Sequence, residues 1–194
     1  MKGAFIVFEG IDGSGKTTLC RTLASSLPDS VTTAEPTYGP IGSMIRSGAA
    51  GSISQRTESL LFLADRSAHT EQIMEMVDDG KVVLCDRYFA STLAYQSAKL
   101  KGDSMDLGWL EDVSRPFAEM PNLTFLLDID PRESISRVQE RGEAISKFED
   151  IAFLEQVRST YLSLASRYNF IVLDASKDAG QLAEDALREI RRIL

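Results

Sequence analysis

The sequence predicts an α/β protein with a mainly parallel sheet of five strands and helices on both faces. Five short apolar runs, rich in β-branched and aromatic residues, alternate with longer segments of helical spacing. This alternation is typical of buried parallel strands that are joined by helices. The chain has 194 residues, 43% of them hydrophobic, and no internal repeat, linker or low-complexity segment divides it. We therefore expect residues 1–194 to form one domain around a continuous core.

The predicted elements follow one another in order along the chain. Residues 4–8 form an apolar strand that stops at a glycine loop, after which helical spacing places Leu19, Leu23 and Leu27 on one face. A second strand is expected at residues 31–34, followed by turn-forming residues at 35–40. Further strands are expected at residues 82–86, 123–127 and 170–173. Further helices are expected at residues 55–77, 131–142 and 150–168 and at the C-terminus, with Leu182, Ala186, Ile190 and Ile193 inward.

Composition limits the partners and the location of the protein. The net charge of -8 argues against a nucleic-acid partner, because binding to phosphate backbones requires a basic face. Cys20 and Cys85 lie in or beside apolar stretches, which favours reduced core residues. His69 follows Arg66 by one helical turn without a neighbouring nucleophile or metal ligand, so we expect it on the solvent-facing surface. The absence of a long apolar segment or a cleavable signal predicts a cytoplasmic protein without membrane association.

A glycine-rich motif of the form G-x-x-x-x-G-K-[ST] connects the first predicted strand to the first predicted helix. This is the context in which the motif binds phosphate: its glycines let backbone N–H groups turn toward the oxygens, and the helix N-terminus adds partial positive charge. Lys16 is expected to bridge the β- and γ-phosphates of ATP, and the Thr17 hydroxyl to bind Mg²⁺. The predicted ATP ligands here are Gly10, Ile11, Asp12, Gly13, Ser14, Gly15, Lys16, Thr17 and Thr18.

The motif indicates the nucleotide but not the reaction, because GTPases, motor ATPases and transport ATPases share it. A Ras-like GTPase requires an Asn-Lys-x-Asp motif. The only asparagines of the chain, Asn122 and Asn169, are followed by leucine and phenylalanine. The sequence therefore disfavours a GTPase.

A charged pair, Asp86 and Arg87, follows the strand predicted at residues 82–86. Its side chains should emerge at the carboxyl edge of the sheet, beside the glycine loop. The guanidinium can clamp two phosphate oxygens, and Asp86 can hold a metal-bound water or orient the arginine. A purely structural Asp-Arg pair at a strand end is the alternative.

Four motifs, in order and at matching spacing, resemble those of the thymidylate kinase family. They are FEGIDGSGKTT at 8–18, EPTYG at 35–39, LFLADR at 61–66, and DRYFAS at 86–91 leading to AYQ at 94–96. The resemblance covers nearly the whole chain and implies a three-layer P-loop kinase fold with a five-stranded parallel sheet, flanking helices and a short lid. It also implies transfer of phosphate from ATP, with Mg²⁺, to dTMP, and a homodimer formed partly by the helix at 55–77.

The resemblance implies roles for individual side chains around dTMP. Phe62 would stack on the thymine ring, and Arg66 would donate to a base carbonyl. Tyr95 would pack under the deoxyribose and exclude a 2′-hydroxyl, while Asp12 would lie near the 3′-hydroxyl and the phosphoryl path. Arg46 would hold the acceptor phosphate together with Arg87. The remaining implied substrate residues are Glu35, Pro36, Tyr38, Ser91, Gln96 and Thr92, which stands where family members often carry a base-contacting asparagine.

A lid is expected at about residues 137–150. Arg137 and Arg141 are four residues apart on one helix and therefore share a face, and a short polar stretch containing Lys147 follows. These three cations are candidates to contact the transferring phosphoryl group when the lid closes. An ordinary solvated helix face is the alternative. By the same resemblance, Ser176 and Lys177 would border the adenine.

No catalytic dyad is expected, because the acceptor phosphate is already largely ionised near neutral pH. Catalysis would then depend on alignment and on charge neutralisation by Mg²⁺, Lys16, Arg87 and the lid cations. Three alternatives remain open at this point. They are a kinase acting on another nucleoside monophosphate, a nucleoside kinase, and a regulatory module that binds nucleotide without catalysis.

Overall fold

The computed structural model of the protein describes residues 3–48, 53–100, 102, 106–140 and 151–194. The strands are β1 (Ala4–Glu9), β2 (Ser30–Ala34), β3 (Val82–Asp86), β4 (Leu123–Asp128) and β5 (Ile171–Asp174). The helices are α1 (Lys16–Ala24), α2 (Pro40–Arg46), α3 (Gln55–Asp78), α4 (Phe89–Lys99), α5 (Leu107–Ser114), α6 (Pro131–Glu140), α7 (Ile151–Tyr168) and α8 (Ala179–Arg191). The α/β class predicted from the sequence is confirmed.

All neighbouring strands are parallel, in the order β2-β3-β1-β4-β5. In the central strand β1, Phe8 pairs with Asp86 of β3 on one side and with Phe125 of β4 on the other. The carboxyl ends of all five strands therefore lie at one edge of the sheet. Ligands of open parallel sheets bind beyond this edge, where the loop after β1 meets the residues after β3.

The core lies on both faces of the sheet. Every residue of β1 is buried, and the rings of Phe8 and Phe125 stack with their centroids 5.4 Å apart. From α7, Leu154, Val157 and Leu164 are buried in the same hydrophobic cluster. Strands that are buried on both faces carry continuous apolar runs, so the sheet could be predicted from the sequence.

Two details of the predicted helices are wrong. Helix α1 ends at Ala24, so Leu27 lies beyond it, although it is still buried. The hydroxyl of Ser25 donates to the carbonyl of Thr22 at 2.7 Å, and such local bonds compete with continuation of a helix. Ile193 is 44% exposed rather than inward, because α8 ends at Arg191.

Helix α4 was not predicted, and its burial explains why. Seven of its eleven residues are buried: Phe89, Ala90, Ser91, Thr92, Leu93, Ala94 and Gln96. A helix that is covered on most sides lacks the apolar stripe by which surface helices are found in a sequence. Helices α2 and α5 were also missed, as both are short. Among the described helices, none is long and apolar enough to cross a bilayer.

The two cysteines are core residues, as predicted. Cys20 and Cys85 are buried and have free thiols. Burial raises the pKa of both thiols well above the usual value. Since the thiolate is the reactive form, neither cysteine is suited to nucleophilic chemistry.

Candidate active site

The glycine loop between β1 and α1 has a backbone that only glycine adopts readily. Gly13 and Gly15 have φ angles of 77° and 95°. A Cβ atom on Gly13 would lie 2.5 Å from the carbonyl oxygen of Ser134, which is closer than packed atoms allow. The Ser134 hydroxyl also donates to the backbone oxygen of Asp12 at 2.5 Å. Helix α6 thus holds the loop in shape at the N-terminus of α1.

The loop and the Asp86-Arg87 pair enclose one cavity of about 180 Å³, here called the phosphate cavity. The partial positive charge of the α1 N-terminus and the first amides of that helix, which have no carbonyl partner within it, suit the cavity to anionic oxygens. The sequence placed these two motifs at the same edge of the sheet, and the structure brings them together. The cavity is lined by Asp12, Gly13, Gly15, Lys16, Thr17, Thr18, Asp86 and Arg87.

Lys16 is the cation at the base of this cavity. Its Nζ donates to the carbonyl oxygen of Ile11 at 2.9 Å, and the residue is buried. Burial, together with the charge of Arg87, lowers the pKa of Lys16 to about 8, while Asp12 and Asp86 oppose the shift. An anion that enters the cavity would favour the protonated ammonium.

Thr17 and Asp86 form the pair that the sequence assigned to Mg²⁺. The Thr17 hydroxyl donates to Asp86 Oδ2 at 2.5 Å. Asp86 Oδ1 is buried and has no hydrogen-bond partner among the described residues. Hydroxyl and carboxylate oxygens are the ligands that Mg²⁺ prefers, so these residues fit such an ion.

Arg87 has a strained backbone and a guanidinium with several partners. Its φ of 71° is rare for a residue with a side chain, and its N–H donates to the Phe8 carbonyl at 2.9 Å. The guanidinium forms an ion pair with Asp12 and donates to the Ser91 hydroxyl at 3.2 Å. It also lies over the Tyr95 ring, 5.2 Å from the centroid. These contacts hold the Arg87 guanidinium, a forked donor, between the phosphate cavity and a second cavity.

The sequence argument assigned no role to Glu9, although this residue is part of one quoted motif. Its buried carboxylate accepts hydrogen bonds from the backbone N–H groups of Tyr88 and Ser91, at 3.0 and 3.2 Å. The hydroxyls of Ser91 and Tyr161 donate to it as well, at 2.5 and 3.3 Å. Burial raises the pKa of Glu9, an effect opposed by the Ser91 bond and the charge of Arg87. Through these hydrogen bonds Glu9 connects the end of β1 to the turn that carries Arg87.

A second cavity of about 140 Å³, here called the acceptor pocket, adjoins Arg87. Phe62 is half-buried there and does not belong to the hydrophobic core cluster. The pocket therefore accounts for Phe62 better than core packing does. Its lining residues are Glu35, Pro36, Phe62, Arg66, Arg87, Tyr88, Ser91, Thr92, Tyr95, Gln96 and Lys99.

Arg66 lies at the bottom of the acceptor pocket and is only 1% exposed. Its Nη2 forms an ion pair with Glu35 and donates to the Thr92 hydroxyl at 2.7 Å. Its Nε and Nη1 have no hydrogen-bond partner among the described residues. Buried guanidinium donors without partners are costly, so Arg66 is suited to a ligand that brings an acceptor.

Three residues that the resemblance assigned to the substrate are not in the lining of the acceptor pocket: Asp12, which lines the phosphate cavity, Tyr38 and Arg46. Tyr38 is 82% exposed, and the Arg46 guanidinium lies 4.4 Å from its ring centroid. Arg46 also donates to the backbone oxygen of Pro36. Neither side chain lines the acceptor pocket, so their contact with substrate remains a prediction.

The third cavity, of about 500 Å³, lies on the other side of the loop and is here called the base-side cavity. Arg137 lines it and donates to the Ala175 carbonyl at 2.9 Å and to Glu133 at 2.7 Å. Lys177 also lines it, whereas the Ser176 hydroxyl donates to Asp174. Arg137 is thus beside the base-side cavity rather than in the lining of the phosphate cavity. Arg141, Lys147 and most of the expected lid lie outside the described residues.

The three cavities form a row. Arg87 lines both the acceptor pocket and the phosphate cavity. Gly13, Gly15 and Thr18 line both the phosphate cavity and the base-side cavity. A nucleotide whose base occupies the large cavity would therefore direct its phosphates toward a molecule in the acceptor pocket.

The expectation that His69 lies at the surface is wrong. The residue is 2% exposed, with Nδ1 at 3.0 Å from Glu35 Oε1 and Nε2 at 2.7 Å from the Thr33 hydroxyl. Its partners lie more than thirty residues earlier in the chain, so nothing adjacent in the sequence indicated them.

Comparison with known proteins agrees with this geometry. The family model of thymidylate kinase matches residues 8–186. A probable thymidylate kinase of Pyrobaculum calidifontis is 38% identical over 193 residues, which cover 98% of this chain and 97% of that protein. One of Pyrococcus horikoshii is 44% identical over 181 residues, covering 87% and 85%.

A solved thymidylate kinase structure from Candida albicans has a TM-score of 0.83, covering 98% of this chain and 92% of its own. At 24% identity it supports the fold. The family match is more specific, because it includes α3 and the Asp86-Arg87 pair as well as the glycine loop, which many nucleotide-binding proteins share. From this match across the three cavities, we conclude that the chain belongs to the thymidylate kinase family.

Proposed function

We propose that the protein transfers the γ-phosphoryl group of ATP to dTMP, giving dTDP and ADP, with Mg²⁺ bound at the phosphates. The observation that carries this proposal is the position of Arg87, which lines both the acceptor pocket and the phosphate cavity. A monophosphate held in the pocket would place its anionic group at this guanidinium. The family membership of the chain supports dTMP as that monophosphate.

In the proposed reaction, an oxygen of the dTMP phosphate attacks the γ-phosphorus of ATP. The bond from the γ-phosphorus to the bridging oxygen breaks, and ADP leaves. No general base is required, because the second pKa of a phosphomonoester is about 6. Lys16 and Arg87 bring together and neutralise two groups that repel each other. Mg²⁺, held through Thr17 and Asp86, would supply further positive charge to the phosphates.

Recognition of the base would use the opposite end of the acceptor pocket. The half-buried ring of Phe62 offers a face to a planar pyrimidine. The donors of Arg66 that have no partner in the described part of the chain, Nε and Nη1, favour a base that presents a carbonyl oxygen to them. The Tyr95 ring, beside Arg87, would lie under the sugar.

A panel of acceptors tests this function. ADP formation is measured with ATP, Mg²⁺ and one of dTMP, dUMP, dCMP, dGMP or thymidine. We expect turnover with dTMP to exceed that with dCMP or dGMP by about a hundredfold or more, since a mismatched base leaves buried polar groups unpaired. Faster turnover of thymidine would indicate a nucleoside kinase. Tight ATP binding without turnover of any acceptor would indicate a regulatory module.

The affinity for ATP is expected to fall as the pH rises above 8. In the unbound protein burial lowers the pKa of Lys16 to about 8, so above this value the ammonium loses its proton. Bound phosphates favour the protonated form, so binding above pH 8 takes up a proton. The dissociation constant should then rise by up to about tenfold per pH unit.

Calorimetric titrations in two buffers of different ionisation enthalpy measure this proton uptake. The phosphates of ATP are already ionised in this range and do not contribute to it. An affinity that stays constant above pH 8, without proton uptake, would contradict the assignment of Lys16.

We further propose that the enzyme is a cytoplasmic homodimer with α3 in the interface. The support is the family resemblance, together with the 48% exposure of Leu60 on α3. Light scattering should give about twice the chain mass of 21.4 kDa. A mass of one chain at micromolar concentration would rule the dimer out.

A further inference from the structure

A buried chain of polar contacts extends from strand β2 to the bottom of the acceptor pocket. The Thr33 hydroxyl is 2.7 Å from His69 Nε2, and His69 Nδ1 is 3.0 Å from Glu35 Oε1. The other oxygen of Glu35 forms an ion pair with Arg66. His69, Glu35 and Arg66 are 2%, 5% and 1% exposed, so solvent does not satisfy these groups.

Glu35 is the link between the histidine and the arginine. Its two oxygens are divided between them, with Oε1 toward His69 and Oε2 toward Arg66. Arg66 Nη2 also donates to the Thr92 hydroxyl, so Glu35 and Thr92 together hold this nitrogen in place. The remaining guanidinium nitrogens, Nε and Nη1, have no partner among the described residues. The direction of these donors therefore depends on where Glu35 is held.

The partners of His69 indicate which ring nitrogen carries the proton. A carboxylate accepts hydrogen bonds only, so Nδ1 must carry the hydrogen that Glu35 accepts. The Thr33 hydroxyl can then donate to Nε2. In this tautomer both ring nitrogens have a partner, and the negative charge of Glu35 faces the positive charge of Arg66. Replacing the Nδ1 donor would leave Oε1 of Glu35 unpaired in a buried site, which is costly.

We propose that His69 is a positioning residue that holds Glu35, and through it Arg66, for recognition of the base in the acceptor pocket. The inference rests on the proposed function, because that function assigns Arg66 to a contact with the base of the acceptor nucleotide. His69 is in the lining of none of the three cavities described above, and the contact that links it to the acceptor pocket is the one with Glu35. It should therefore affect the binding of the acceptor and leave the binding of ATP unchanged.

Three variants separate positioning from a general structural role. His69→Gln places its amide farther along the side chain and removes the donor near Glu35. His69→Asn retains an N–H group close to the position of Nδ1. Thr33→Val removes only the bond on the far side of the ring. Each is compared with the wild-type protein for the KM of dTMP, the KM of ATP, kcat and thermal unfolding.

We expect His69→Gln to raise the KM of dTMP about tenfold, the effect of losing a hydrogen bond to a charged group. The KM of ATP should change by less than about twofold, because the hydrogen bonds of His69 go to Thr33 and Glu35 and not to Lys16 or the glycine loop. His69→Asn and Thr33→Val should keep the KM of dTMP within about threefold of the wild-type value. This pattern supports the proposal.

Equal dTMP KM values in wild type and His69→Gln would overturn it, and so would equal rises in the KM of dTMP and of ATP. If His69→Gln fails to fold, the ring itself can be tested in the wild-type protein. His69 is the only histidine of the chain, so the ¹⁵N spectrum of a tag-free sample reports its tautomer without assignment. A proton on Nδ1 is expected, whereas a ring whose only proton is on Nε2 overturns the proposal. Failure of the wild-type enzyme to use dTMP would instead refute the proposed function.

Discussion

Replacing Lys16 with alanine is expected to lower kcat by about a thousandfold or more, the loss that follows removal of a preorganised charge from a phosphoryl-transfer site. The Lys16 ammonium lines the phosphate cavity and is held by the Ile11 carbonyl at 2.9 Å. No other lysine lines this cavity among the described residues. Initial rates of ADP formation with dTMP measure the effect.

Thermal unfolding provides the control for this variant. Burial lowers the pKa of Lys16, which shows that the fold disfavours its charge, so alanine should not lower the melting temperature substantially. Lys16→Met keeps much of the side-chain volume without the charge and should be as inactive as Lys16→Ala. A methionine variant with near-normal kcat would remove Lys16 from the mechanism.

Replacing Arg87 with alanine is expected to lower kcat/KM for dTMP by about a thousandfold, because a forked, charge-assisted contact to the acceptor phosphate is lost. ATP binding should weaken by less than about threefold, since the loop and Lys16 remain in place. Stopped-flow or steady-state kinetics give the first quantity, and titration with a non-hydrolysable ATP analogue gives the second.

Arg87→Lys is the matched control for charge. Lysine keeps the positive charge but not the planar fork that reaches Asp12 and Ser91 together, so it should restore only part of the activity. Arg87→Ala also removes the cation that opposes the raised pKa of Glu9, so some loss of stability is expected in this variant, whereas Arg87→Lys keeps the charge. If Arg87→Ala weakened ATP binding as strongly as dTMP use, Arg87 would not be an acceptor residue.

The sheet and the phosphate cavity could be predicted from the sequence because their signals are local. The strands β1, β3 and β4 at the centre of the sheet are largely buried and appear as continuous apolar runs, and the glycine motif is one contiguous segment. Parallel strands align their carboxyl ends, so the meeting of Lys16 with Arg87 follows from topology alone. Phe62 and Arg66 required the resemblance, because an apolar helical run does not show which of its residues faces a pocket.

The supporting contacts were beyond prediction because they join distant segments. Glu9 and Tyr161 are 152 positions apart and interact only when α7 packs over the end of β1. His69 was expected at the surface because no nucleophile or metal ligand neighbours it in the sequence, while its partners lie on β2 and just after it. Buried polar groups of this kind are recognised only when the fold brings their partners together.

A crystal structure with dTMP and a non-hydrolysable ATP analogue tests the central claim most directly. We predict that the thymine ring lies against Phe62 with a carbonyl oxygen at Arg66, and that the dTMP phosphate contacts Arg87 and faces the γ-phosphate at Lys16. A thymine ring outside the acceptor pocket, or a dTMP phosphate that does not reach Arg87, would contradict this arrangement.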